Sequence, residues 1–259
     1  MCSRLLLLLF PLVAGLAPTF EAAAITDEIQ VYTDEINERG ERGLELHLNT
    51  TPRGRKTPDY AGDLPPDHGL RLTPEWSWGL GGDLEAGLYL PMATDANGAL
   101  YLGGIKPRLK WLPVHGSEED GGWYFGANAE LSRVSRKFSE SPLSTELRII
   151  GGYRAGDWLI GVNPILDWGL SPGHRGSPDV TLAWKAVRKL APGISLGGEY
   201  YNGIGKLSDR LPGDQQDRTL YLVMDFDRKP WVFNFGIGRG LTPATDKWTV
   251  KAIFEIPFI

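Results

Sequence analysis

Three observations on this 259-residue chain predict an all-β fold: a transmembrane antiparallel up-and-down β-barrel of about 12 strands. Apolar and polar residues alternate with a period of two from Gly43 onward, as in strands with one dry and one wet face. Short turns and long polar loops alternate between those strands, as in a meander with two different rims. Charges gather on one strand face and are almost absent from the middle of the other. Composition agrees by exclusion. A net charge of -5 lacks the basic surplus of a nucleic-acid binder, so no nucleic-acid partner is expected. A mean hydropathy of -0.21, without a long apolar run after residue 20, excludes a helical membrane bundle. A 42% hydrophobic content excludes a disordered chain.

Residues 1–24 read as a signal peptide: Arg4, then an apolar stretch from Leu5 to Val13, then Ala22, Ala23 and Ala24 for cleavage. The single cysteine, Cys2, precedes the apolar stretch and leaves with it, so no disulfide is available to the mature chain. Residues 25–42 form an acidic N-terminal segment, expected at the periplasmic side, either loose or tucked into the lumen. It offers the best chance of a helical turn. The barrel is expected to occupy 43–259.

The predicted strands fall at 43–49, 70–79, 84–90, 105–111, 123–131, 143–149, 158–167, 180–185, 194–201, 219–226, 233–238 and 248–258. Short turns are expected at Gly81-Gly82, Ala155-Gly156, Ala191-Pro192-Gly193 and Arg228-Lys229-Pro230. Long loops are expected at 51–69, 91–98, 135–142, 171–177 and 203–215. An even strand number puts both barrel ends on the short-turn side, expected to be periplasmic.

Alternation alone does not say which face is dry. Lipid on the apolar side is favoured because Glu85, Lys106, Arg148, Lys251 and many other charges share the opposite face. Trp78, Trp111, Trp123, Tyr153, Trp158, Trp231 and Trp248 fall near strand ends, where interfacial girdles lie. The chain also stops on a strand, Phe254-Glu255-Ile256-Pro257-Phe258-Ile259. That ending resembles the C-terminal strand signal of bacterial outer-membrane proteins, with the aromatic penultimate instead of last and Pro257 removing a ladder donor. The resemblance implies a cell outer membrane location in a Gram-negative-type bacterium. It implies contact with outer-membrane lipid and lipopolysaccharide, and recognition of the last strand by the barrel-assembly machinery. The segments 43–49, 72–76, 84–91 and 233–242 resemble porin-like and transporter-like barrels of unassigned function, loosely associated with the meta pathway of phenol degradation. That likeness implies passage of small solutes, aromatic molecules among them.

The candidate site is a lumen charge filter. Lys106, Arg108 and Lys110 stand two apart on one strand face, with Glu75, Glu85 and Glu130 on neighbouring strands. Glu75 and Glu85 are expected to reach Lys106 and Arg108. The same charges can instead form a salt-bridged plug, and both readings stand at this stage. A narrow channel or transporter for small-molecule solutes is the first functional reading; a structural or interaction barrel with a closed lumen is the second. A lipid-modifying enzyme comes third. Outer-membrane phospholipases set a Ser and a His close together, but His68, His115 and His174 fall in loops or turns and His47 lies on the polar strand face. No enzyme, cofactor or metal site is expected: the loop acids Asp59, Asp63 and Asp67 beside His68 read as solvated.

Overall fold

The computed structural model describes residues 27–116 and 121–256. The predicted signal peptide and Pro257, Phe258 and Ile259 of the strand-end signal lie outside the described residues.

Fourteen strands follow in chain order. They are β1 (Arg42–Arg53), β2 (Leu70–Gly79), β3 (Leu84–Tyr89), β4 (Met92–Thr94), β5 (Leu100–Leu102), β6 (Gly104–Val114) and β7 (Gly122–Val134). Then come β8 (Leu143–Ala155), β9 (Trp158–Gly169), β10 (Asp179–Ala191), β11 (Ile194–Lys206), β12 (Asp217–Arg228), β13 (Trp231–Gly240) and β14 (Trp248–Glu255). They make a 12-strand wall, because β3 and β4 both pair with β2 and form one wall strand interrupted at Pro91. Proline has no N–H for the ladder, which is why the break falls there. The hairpin partners β5 and β6 are likewise one strand, interrupted at Gly103. The loop expected at 91–98 is therefore wall in its first half, and the turn itself is 95–99. Asp95 makes that turn by accepting the backbone N–H groups of Asn97 and Ala99.

Antiparallel pairing runs unbroken around the ring, and β1 closes it by pairing with both β2 and β14. Closure pairs the strand N–H and C=O groups and removes the sheet edge. Glu45 of β1 thus faces Glu75 on one side and Glu255 on the other. Both ends of the wall meet at the rim of tight turns, such as the one at Pro192-Gly193, where Gly193 takes a φ of 68°.

The two faces sort as alternation predicts. Leu222 is 63% exposed on the outside, joined there by Leu109, Phe125, Leu147, Ile160 and Ile237. Leu88 and Val250 also point outward, whereas Glu85 and Lys251 are buried inside. An exterior of this kind suits hydrocarbon, not water. Trp78, Trp111, Trp123, Tyr153, Trp158 and Trp231 all stand on the outer face at the tight-turn rim, and Trp248 stands at the other.

Residues 27–39 are not part of the wall. They contain no helix and run extended through the barrel interior. Of the two placements open to this segment, the structure takes the one inside. Ile29, Val31 and Tyr32 are buried against apolar side chains of the inner wall: Val187 and Val223 around Ile29, Ile165 and Ala183 around Val31, Leu112 and Ile150 around Tyr32. Each such side chain removed from water contributes about 1.5–3 kcal/mol.

Candidate functional site

The site is the lumen, and its central element is the N-terminal plug. It enters at the tight-turn rim, where the Gly40 N–H donates to the Gly79 carbonyl at 2.8 Å. Asn37 donates its backbone N–H to Glu85 and its side-chain amide to Ser77. Asp34 forms an ion pair with Arg154 on β8. Tyr32 is the central latch. Its N–H donates to Asn163 Oδ1 at 2.6 Å, and the Asn163 amide donates back to the Tyr32 carbonyl at 3.0 Å. Its ring lies under the Arg148 guanidinium, 4.3 Å from the centroid, and its hydroxyl meets that of Tyr89. Farther in, Arg148 Nη1 donates to the Gln30 carbonyl at 3.0 Å and Lys251 Nζ to the Ile29 carbonyl at 2.9 Å. Asp27 ends the described segment 3.3 Å from Lys106 Nζ.

All six residues of the sequence-predicted filter come together on β2, β3, β6 and β7. Their pairing differs in detail from the expectation. Lys106 reaches Glu130 at 2.9 Å and Asp27 of the plug, not Glu75 or Glu85. Arg108 grips Glu75 through Nε and Nη2 and also reaches Glu85 at 2.7 Å. Lys110 completes the chain, 3.0 Å from Glu85. Gly87 faces Arg108 across the ladder, and a Cβ there would come within 2.6 Å of the Arg108 side chain, so any larger residue pushes Arg108 off its present course over β3 to Glu75. The opposite wall carries a second network: Lys251 pairs with Glu199, and Lys185 with Asp225 at 2.9 Å and Glu199 at 3.6 Å. Lys251 and Glu199 are almost completely buried. Removing one partner of such a pair costs about 3–5 kcal/mol, because the other is left charged and unmatched.

The plug's grip on both networks was missed in the sequence reading, yet a signal exists. Leu112, Ile150, Val187 and Val223 are apolar residues in the inward register, and each shares a buried cluster with a plug residue. Apolar side chains in a wet register call for a cover.

The two mouths differ. At the long-loop rim, Leu64 and Phe138 from two loops pack on Ala93 and Val134, and the Arg71 guanidinium stacks on the Phe138 ring at 5.2 Å. Arg55 ties this cap together, 2.8 Å from Asp59 and 2.9 Å from Asp63. Burial pushes the Asp59 carboxyl up to about 6 despite Arg55 beside it. Asp67 accepts hydrogen bonds from the Gly54 N–H and from His68 and is held below the usual carboxylate range. The loop acids are thus structural ligands of Arg55, Gly54 and His68. At the tight-turn rim lies an open cavity of about 1110 Å³, lined by Glu35, Glu45, Glu85, Lys185 and Asp225 among others.

His47 is fully buried, with Nε2 3.1 Å from Glu75 and 3.7 Å from Glu45. It faces carboxylates, not a serine hydroxyl, which is the wrong partner for nucleophile activation.

No family model matches the chain, and no curated protein does. Solved structures do. The fold is similar to that of an outer membrane channel from Pseudomonas putida F1, at 11% identity and a TM-score of 0.56, covering 88% of this chain and all of that one. The translocator domain of the autotransporter NalP from Neisseria meningitidis aligns at 11% identity over 87% of this chain and 91% of its own, with a TM-score of 0.44. The first likeness identifies the architecture, a closed antiparallel barrel of the outer-membrane type; the second is too distant to add to it.

Proposed function

We propose that this protein is an outer-membrane channel for small hydrophilic solutes whose bore is stoppered by its own N-terminal segment. The observation that carries the reading is that the stopper lies inside a wall already complete without it. All 12 wall strands close through β1, β2 and β14, and none pairs with residues 27–39. Withdrawal of the segment leaves the ring intact and a charged passage between the two ion-pair networks. Lys106, Arg108 and Lys110, freed from Asp27 and facing Glu75, Glu85 and Glu130, then form the selecting constriction. The tight-turn rim faces the periplasm in this reading, and the loop cap faces outward. The phenol-pathway resemblance adds small aromatic molecules to the solutes worth testing.

Planar-bilayer recording is the test. The full chain is expected to show rare or small openings, and a variant lacking residues 27–37 steady single-channel steps. Folding of both is checked by the shift in gel mobility on heating. A folded, silent deletion variant would favour the second reading, a structural barrel, which the extensive ion pairing of the lumen supports.

A further inference from the structure

We infer that Glu45, His47 and Glu75 form a binding site for one divalent transition-metal ion of the Zn²⁺ class. This goes beyond the channel reading and does not depend on conduction.

Glu45 and His47 are two apart on β1 and point to the same side, and Glu75 of β2 stands directly opposite Glu45. One ligand atom from each of the three lies within 4.8 Å of the others. Zinc binds imidazole nitrogen and carboxylate oxygen at about 2 Å, so an ion between these atoms reaches all three with small side-chain movement. One nitrogen and two carboxylate oxygens suit zinc and its transition-metal neighbours, whereas calcium takes oxygen alone.

Glu75 already divides its carboxylate. Oε1 is taken by Arg108, and Oε2 points at His47. The charge balance points the same way. Glu45 has carboxylates in register on both sides, Glu75 and Glu255, an arrangement that repels. The nearby cations are engaged elsewhere: Arg108 on Glu75 and Glu85, Lys110 on Glu85, Lys229 on Glu255. Among the described residues no lysine or arginine pairs with Glu45, whose ion-pair partner is His47.

A second, independent observation lies behind the ring. His47 Nδ1 is buried without a hydrogen-bond partner, and so is the hydroxyl of Thr73, the residue facing His47 across the ladder. A metal-bound imidazole places its second N–H on such a polar neighbour. Access is open, because Glu45 and Glu75 line the cavity at the tight-turn rim. The fourth coordination position faces that cavity, free for water or an anionic group of a solute.

The test is calorimetric titration of the folded full chain in detergent with Zn²⁺ alone, at neutral pH, and with Co²⁺ as a spectroscopic probe. One ion per chain is expected, with Co²⁺ visible bands of a four-coordinate site. His47→Ala is expected to weaken binding by about 100-fold or more, and Glu45→Gln by about tenfold. His115→Ala and His174→Ala, at the rims, are expected to leave it unchanged. Should His47→Ala fail to fold, Glu45→Gln at its half-buried position carries the comparison. Absence of stoichiometric binding, or an affinity left unchanged in the folded His47 or Glu45 variant, overturns the site and leaves His47 as a hydrogen-bond partner of Glu75 alone. Neither result bears on whether the barrel conducts.

Discussion

The two ends of the bore are built differently. Toward the long loops, a cap of Leu64, Phe138 and Arg71 covers the mouth, held by packing and by Arg55 among its acids. Toward the tight turns the mouth stays hollow, and the passage is stopped only deeper in, where Tyr32, Gln30 and Ile29 are held by Asn163, Arg148 and Lys251. Leu64 and Phe138 of the cap come from loops, which tolerate change better than the wall strand that supplies Arg71. The stopper is tied to strands through buried charges, and changing those disturbs the wall as well. A solute arriving from the turn side therefore meets charged side chains before an obstacle, and one arriving from the loop side meets the obstacle first.

The comparison breaks most visibly at the buried pair. Lys251→Met leaves the buried Glu199 carboxylate with Lys185, at 3.6 Å, as its remaining cation and releases the Ile29 carbonyl, and is expected to lower barrel stability by about 3 kcal/mol. The urea midpoint of the heat-sensitive gel-mobility shift measures it. Tyr32→Ala comes next, acting on the stopper alone. Losing its ring contacts removes about 2 kcal/mol from the docked state, so the undocked population and the channel open probability rise roughly thirty-fold while the urea midpoint stays nearly constant. Equal conductance in the two proteins would show that the segment does not gate. Phe138→Ala sharpens the contrast from the other end. It is expected to speed hydrogen exchange in loop 54–69 and to leave conductance unchanged while the stopper is in place.

The smallest effect is pH-dependent. Asp59 has a raised carboxyl in the folded cap, so the cap favours its protonated form. That contribution is fully present below the ordinary aspartate range and is lost as pH rises through about 6. A fluorophore on Thr57→Cys is expected to report a loosening cap between about pH 4 and 7. Asp59→Asn abolishes the transition.

The wall was legible because strand alternation has a period of two and each step reverses the face. Phe235 outside and Lys251 inside follow from neighbouring registers alone. That Glu75, Glu85, Lys106, Arg108, Lys110 and Glu130 share one stretch of inner wall was legible, since β2, β3, β6 and β7 are successive wall strands. Their pairing was not, because which acid a long cation reaches depends on strand stagger. Lys106 turns to Glu130 on β7, while Arg108 leans over Gly87 to β2. The continuation of the wall through Met92–Thr94 was hidden by Pro91, which reads locally as a stop. The stopper was hidden for a different reason. Its acidic residues look like a solvated tail, and what recruits them is a ring of bases supplied by distant strands: Lys106, Arg148 and Arg154.

The bond from Lys251 to the Ile29 carbonyl links the wall's final strand to residues that precede its first. The seam that seals the cylinder is the β1–β14 junction, and Lys251 stands on one lip of it, opposite Asn49. Asn49 itself donates to the Asp27 carbonyl. Both lips thus clasp the same thread, so the closed seam grips the segment from either side and neither lip holds it alone.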